Sequence, residues 1–245
     1  MPETSLTFPD YHPLWVVALV TLLFASLARV VRGVSVSGAI AGGLVCFVLY
    51  ASAGPGAFLL LVLLFVLTWS ATRLGYQRKQ KLGTAEKGNG RTASQVLANI
   101  GVAAVCAGAY RSRGNTIFLL AMCAALAEAA ADTVSSEIGQ AFSRDARLIT
   151  NWQRVPAGTN GGISIAGTVA GAAAGLLLTF AGVVTGLIGY QGLVVSFIAA
   201  GVGMISDSYL GATLEFREVL SNNAVNFLGT LTAALIVVVA RLFSK

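Results

Sequence analysis

Apolar positions fall in long uninterrupted runs, and polar positions collect in short connections between them. The runs cover about residues 14–31, 34–53, 56–75, 93–110, 115–135, 162–187, 190–212 and 224–243. Each is close to the roughly 20 residues a helix needs to cross the hydrocarbon of a bilayer. The pattern predicts an all-α fold: a polytopic transmembrane helix bundle of about eight helices, using all 245 residues as a single integral membrane domain.

Composition agrees. Charged residues make up 11% of the chain, against about 25% in soluble domains, and mean hydropathy is +0.79. Residues 1–13 carry Glu3 and Asp10 rather than a basic stretch, and no small-residue cleavage site follows the first run, so the N-terminus is expected to be retained. Cys46, Cys106 and Cys123 lie inside apolar runs without metal-ligand spacing and read as small buried hydrophobes.

The net charge of +6 suggests nucleic acid only until its placement is read. Twelve of the 16 Lys and Arg residues fall in one alternating set of connections: Arg29, Arg32, Arg73, Arg78, Lys79, Lys81, Lys87, Arg91, Arg144, Arg147, Arg154 and Arg217. Arg111, Arg113, Arg241 and Lys245 fall in the other. Basic residues collect in cytoplasmic loops, so the first set is expected in the cytoplasm and both termini on the opposite side. A re-entrant 93–110 segment would reverse the orientation before it. The expected partner is the lipid bilayer, with no nucleic acid.

Candidate chemistry begins at 76–99. The loop Lys87-Gly88-Asn89-Gly90-Arg91-Thr92 leads directly into an apolar run. Glycines there let backbone N–H groups approach an anion, and a helix N-terminus adds positive potential. Arg91, Gln95 and Asn99 then fall at i, i+4 and i+8, one polar stripe entering the membrane.

Glu128 and Asp132 are four apart in an alanine-rich run and share a helix face, which Ser135 and Ser136 continue. Two ionised carboxylates in apolar surroundings repel, so a cation is expected between them. Oxygen ligands without a nearby histidine favour Mg²⁺. Glu137, five residues past Asp132, points elsewhere if the helix stays regular and joins the site only if it unwinds near Ser135.

The connection 142–160 is basic and runs into Gly158-Thr159-Asn160-Gly161-Gly162, a second glycine-rich turn opening an apolar run, without the lysine of a P-loop. In the last third Asp207, Gly211 and Glu215 step by four, and Asn222 and Asn226 share a face as Gln95 and Asn99 do. Glycine-rich loop, helix and Asp-bearing helix thus occur at 88–139 and again at 158–215, which predicts an internal repeat with its polar groups converging on one cavity.

Asp132-Thr133-Val134-Ser135-Ser136-Glu137-Ile138-Gly139, with Leu148-Ile149-Thr150 and Gly158-Thr159-Asn160-Gly161-Gly162 downstream, resembles the family containing chloroplast phytyl-phosphate kinase and transmembrane protein 19. Gly90-Arg91-Thr92-Ala93, Asn99, Asp207-Ser208, Gly211-Ala212-Thr213 and Asn223-Ala224-Val225-Asn226 match its other blocks in order. The likeness runs from about residue 30 to the C-terminus. It implies an enzyme that phosphorylates an isoprenoid monophosphate such as phytyl or geranylgeranyl phosphate, with a nucleoside triphosphate, CTP, as donor. The order of Asp-bearing helix, basic loop and glycine-rich turn is more distantly similar to dolichol kinases and phosphatidate cytidylyltransferases. Those usually carry a lysine and an acidic residue around the second loop, where this chain has Ala157-Gly158-Thr159-Asn160-Gly161.

On that reading Asp132, with Glu128 or Glu137 and Asp207, holds Mg²⁺, and Asp132, Asp207 and Glu137 are the catalytic candidates. Lys87, Asn89, Arg91, Gln95, Asn99, Arg147, Asn222, Asn226 and the turn 158–162 are the phosphate and nucleotide candidates. An acceptor that is already a phosphate needs no strong base, in keeping with a single histidine, His12, expected on the far side. The competing class is a small-solute or lipid transporter, since internal repeats and intramembrane carboxylates also mark transporters.

Overall fold

The computed structural model describes residues 13–86 and 88–243. Eight α-helices follow one another among them: α1 (Leu14–Val30), α2 (Val36–Arg73), α3 (Tyr76–Leu82), α4 (Ala93–Arg113), α5 (Ile117–Phe142), α6 (Ile165–Val184), α7 (Tyr190–Leu210) and α8 (Asn222–Phe243). Six are long and apolar enough to cross a membrane, and α1 is a shorter apolar helix. His12, Lys87 and Lys245 lie outside the described residues.

The 38-residue α2 is two passages joined at a break. Gly54 takes φ 78° and ψ −171°, and Pro55 follows it. Glycine alone adopts that backbone cheaply, and proline bars the residue before it from the helical region. The chain reverses there. Tyr50 and Phe58 stack across the turn with centroids 5.5 Å apart. Near the other end of the second arm, Trp69 Nε1 donates to the Val31 carbonyl at 3.3 Å, beside the start of the first arm. Arms 36–53 and 55–73 each rise roughly 27 Å at helical pitch. With α1, α4, α5, α6, α7 and α8 they make eight apolar helical segments.

One end of the bundle gathers the polar connections. Ser35 N donates to Arg91 O at 2.9 Å and Arg91 N to Gly33 O at 3.1 Å, tying the α1–α2 loop to the α3–α4 loop. Arg78 Nη1 reaches Ala141 O at 3.3 Å, joining α3 to the end of α5. At the far end, Ser196 Oγ of α7 donates to Leu120 O near the start of α5 at 3.2 Å. So α4 crosses the bundle in full and is not re-entrant, which places Arg111 and Arg113 at the far end.

α5 is the axis of the bundle, touching α2, α4, α6, α7 and α8. Met122, Cys123, Ala124, Ala125, Leu126 and Ala127 are fully buried in it, because alanine lets neighbouring backbones approach. Around the outside the logic inverts: Leu22, Ile40, Val105 and Val169 are exposed, as lipid-facing side chains are. The cysteines are free and buried.

Three details depart from the expected elements. α5 remains helical to Phe142, two turns beyond its expected end, and α3 is an added short helix. The basic connection 142–160 is not a plain loop: β1 (Asp145–Leu148), β2 (Arg154–Pro156) and β3 (Gly162–Ile163) form an antiparallel sheet in the order β2-β1-β3. Ala146 opposes Val155, and Arg147 opposes Ile163. β3 delays α6 to Ile165, where Ser164 caps it by accepting from Gly167 N at 3.1 Å.

Candidate active site

At the polar end a cavity of about 250 Å³ opens between α4, α5, α7, α8 and the turn after β2. Each wall has a local cause. Thr92 caps α4 and Gln95 answers it, accepting from Thr92 N at 2.7 Å, so Arg91 is held just outside the first turn. Asn99 lies two turns below, buried, with Nδ2 on Gln95 O at 2.8 Å. α5 presents Asp132, and α7 presents Asp207. α8 contributes Asn222 and Asn226 from its first two turns.

Asp132 and Asp207 are 75 positions apart in sequence, yet their carboxyl groups lie within hydrogen-bonding reach. The charge of Arg91 acts on Asp132, and Glu215 acts on both aspartates. Glu215 in turn stands within hydrogen-bonding reach of the Asn222 side chain. Below this pair Glu128 is 1% exposed, pressed against Gly203 and Gly229. Asp207 Oδ2, Glu128 Oε1 and Asn226 Oδ1 are buried without a hydrogen-bond partner among the described residues. Carboxylates in contact away from water require a proton or a cation between them.

A hard divalent cation fits this donor set. Mg²⁺ is usually held by one or two carboxylates together with substrate phosphates and waters. Among the described residues no three His, Cys, Asp or Glu side chains form a ready metal cluster. A cation at the Asp132–Asp207 pair would need further ligands from outside the protein.

The roof is the turn 157–164. Gly158 and Gly161 take φ of +92° and +71°. Thr159 N and Oγ1 both donate to Pro156 O, and Gly162 N donates to Thr159 O at 2.9 Å. Among the described residues, the N–H groups of Gly158, Asn160 and Gly161 have no such backbone partner. Gly161 lies directly on the π-helical segment Gly211–Glu215 that continues α7: a Cβ there would sit 2.5 Å from Ala212 N.

The structure therefore gathers Arg91, Gln95, Asn99, Asp132, Asp207, Gly158, Thr159, Asn160, Gly161, Gly162, Asn222 and Asn226 around one cavity. Five other expected residues stand differently. Glu128 is buried beneath the cavity and is not part of its wall. Glu137 lines the cavity but its oxygens are engaged: Lys79 Nζ donates to Oε2 at 2.5 Å and Thr72 Oγ1 to Oε1 at 3.0 Å. The reason is the regular helix, which turns Glu137 away from Asp132. Arg147 lies outside the cavity, on β1, and donates to Trp152 O at 2.9 Å. Asn89 is exposed and off the cavity wall, and Lys87 is outside the described residues.

Three participants were not among the candidates. Glu215 had a signal, the four-step spacing from Asp207 through Gly211. Glu86, which accepts from Gln95 Nε2 at 3.1 Å, is a lone acid in a basic stretch and gave none. Lys79 gave none either. It sits in a basic connection expected in the cytoplasm, yet it is fully buried, donating to Ala71 O at 3.0 Å and Thr72 O at 2.7 Å besides Glu137.

Known proteins share this pattern of sequence. An uncharacterized membrane protein of Synechocystis is 35% identical over 78% of this chain and 76% of its own length. Protein VTE6, chloroplastic, of Arabidopsis thaliana is 29% identical over 99% of this chain and 77% of its own. An uncharacterized membrane protein of Methanocaldococcus jannaschii is 30% identical over 91% of this chain and 92% of its own. No solved structure matches. The family model for the integral membrane proteins DUF92 spans residues 19–234, taking in every residue that lines the cavity, and this chain is a member of that family.

Proposed function

We propose that this chain is a membrane-embedded kinase that moves a phosphoryl group from a nucleoside triphosphate, CTP, to an isoprenoid monophosphate such as phytyl or geranylgeranyl phosphate. The observation that carries it is the Asp132–Asp207 contact on the floor of a cavity whose wall holds Arg91 and whose roof is a glycine turn. The likeness to Protein VTE6 along the whole chain, and the resemblance to the phytyl-phosphate kinase family in the aspartate and glycine blocks, support the substrate class. The excess of Lys and Arg at the site end supports a cytoplasmic opening.

In the reaction an oxygen of the acceptor phosphate attacks the γ-phosphorus of CTP and forms a new P–O bond. The bond from that phosphorus to the β,γ-bridging oxygen breaks, and its electron pair leaves on CDP. The product is the isoprenoid diphosphate, and any proton on the acceptor phosphate passes to water. Such a transfer depends on positioning and charge more than on covalent help from the protein. Mg²⁺ held by Asp132 and Asp207 would neutralise the donor phosphates. Arg91 offsets charge on the transferring group, uncommitted N–H groups of the 158–161 turn orient the phosphates, and Asn222 and Asn226 complete the wall.

The test is turnover of the purified full chain with CTP and geranylgeranyl phosphate. Asp132→Asn is expected to reduce it by about 100-fold or more while the protein stays folded in detergent; full activity in that variant would overturn the assignment. A transport path would have to continue past Glu128 toward the far end, and there Cys123, Ala124, Ala125, Leu126 and Ala127 are fully buried. That packing favours the enzyme.

A further inference from the structure

The polar cavity has an apolar neighbour. A second cavity, about 480 Å³, lies between α1, the two arms of α2 and the start of α4. Phe24, Leu64, Phe65 and Val96 are among its walls, and Arg32, Arg73 and Arg91 line its loop end. Arg73 is fixed there, with Nη2 on Val31 O at 2.8 Å and its guanidinium 5.2 Å from the Trp69 ring centre. The two cavities are continuous in their lining: Glu86, Arg91, Gln95 and Asn99 belong to both.

We propose that this second cavity is the chamber for the isoprenoid chain of the acceptor, delivering its phosphate to Arg91 at the junction. The proposal rests on the kinase reading for the identity of the head group. Its volume falls in the range of about 300–1,000 Å³ typical of small-molecule sites. From Arg91 to Ile100 along α4 the wall descends roughly 13 Å. The loop end carries three arginines against the one carboxylate of Glu86, and the depth is mostly apolar, which is the complement of a single chain carrying an anionic head. One chamber of this size takes one chain rather than the pair on a phospholipid. Gly42 controls the space: a Cβ there meets only Val96 Cγ1, at 3.7 Å, so a larger side chain enters the cavity without clashing with the backbone.

Two experiments on the full chain in detergent separate this proposal from the reading beneath it. In the first, G42L is compared with wild type and G42A on isopentenyl, geranyl and geranylgeranyl monophosphates with CTP. G42L is expected to lower the geranylgeranyl-to-isopentenyl ratio of kcat/KM by about tenfold, chiefly through KM. An unchanged ratio overturns the chamber. In the second, G42C is made in a chain whose Cys46, Cys106 and Cys123 are replaced by alanine, and labelling by a maleimide is followed. Protection by geranylgeranyl phosphate, and not by inorganic phosphate, is the expected result. Absent protection, or equal protection by phosphatidic acid, overturns the proposal. Protection with no turnover of any phosphate keeps the chamber and removes the kinase; turnover with no protection does the reverse.

Discussion

The buried pair Lys79–Glu137 decides whether Glu137 is part of the chemistry or of the frame. Lys79 is fully buried and spends three donors, one on Glu137 and two on the carbonyls of Ala71 and Thr72 at the end of α2. Glu137 is 14% exposed at its side chain. Lys79→Met leaves that carboxylate with Thr72 alone and strips two carbonyls of their donor. Removing one partner of a buried pair costs about 3–5 kcal/mol, or on the order of 10 °C in Tm for a chain of this length. Glu137→Gln keeps a neutral acceptor beside Lys79 and is expected to cost about 1–3 kcal/mol. The double variant should be more stable than the sum of the two losses predicts, by about 0.5–3 kcal/mol. Tryptophan fluorescence during heating gives the midpoints, and turnover measured well below all of them gives activity. Both single variants are expected to keep turnover within about threefold of wild type there. Abolished turnover in Glu137→Gln at an unchanged Tm would refute the structural role and return Glu137 to the reacting phosphates.

Two further outcomes follow from the site. Gly161→Ala would force a Cβ to 2.3 Å from Ala212 Cβ at a φ of +71°, a conformation costing about 1–2 kcal/mol before any clash; turnover should fall about tenfold or more while the helical circular dichroism stays intact. Mg²⁺ at a hundred times its Kd should stabilise the wild-type chain by about 2.7 kcal/mol, read as a rise in Tm that EDTA reverses. That rise should vanish in the Asp132→Asn/Asp207→Asn double variant, and its persistence would place the cation elsewhere.

Much of this was legible in the chain because membranes impose length. Eight apolar runs became eight apolar helical segments, and Gly54-Pro55 marked the one turn hidden inside α2. The stripe Arg91, Gln95, Asn99 and the pair Glu128, Asp132 were readable because helical spacing alone puts them on common faces. What could not be read depends on partners far away in sequence. Nothing near Lys79 says that Glu137, 58 positions on, will bury it. Arg147 looked like a phosphate ligand because a basic residue beside a glycine turn often is one, but strand pairing with Ile163 and Arg154 directs it to Trp152. The strands themselves are two to four residues long and too short to show alternation.

The π-helical segment at the end of α7 has a consequence for how the acidic wall is wound. Phe216 N bonds Gly211 O at 3.1 Å, five residues back rather than four. In an ordinary helix, at about 100° per residue, Glu215 would stand roughly 80° around the axis from Asp207. One extra residue taken up by the wider turn cancels that drift and leaves it about 20° off the same line. Glu215 thereby acts on Asp207 and Asp132 and stands beside Asn222 at the start of α8. The column of carboxylates is thus a property of winding as much as of residue choice. Rewinding Gly211–Glu215 as an ordinary α-helix, with no residue lost, would swing the column's upper member out of line while every charged side chain remained in the protein.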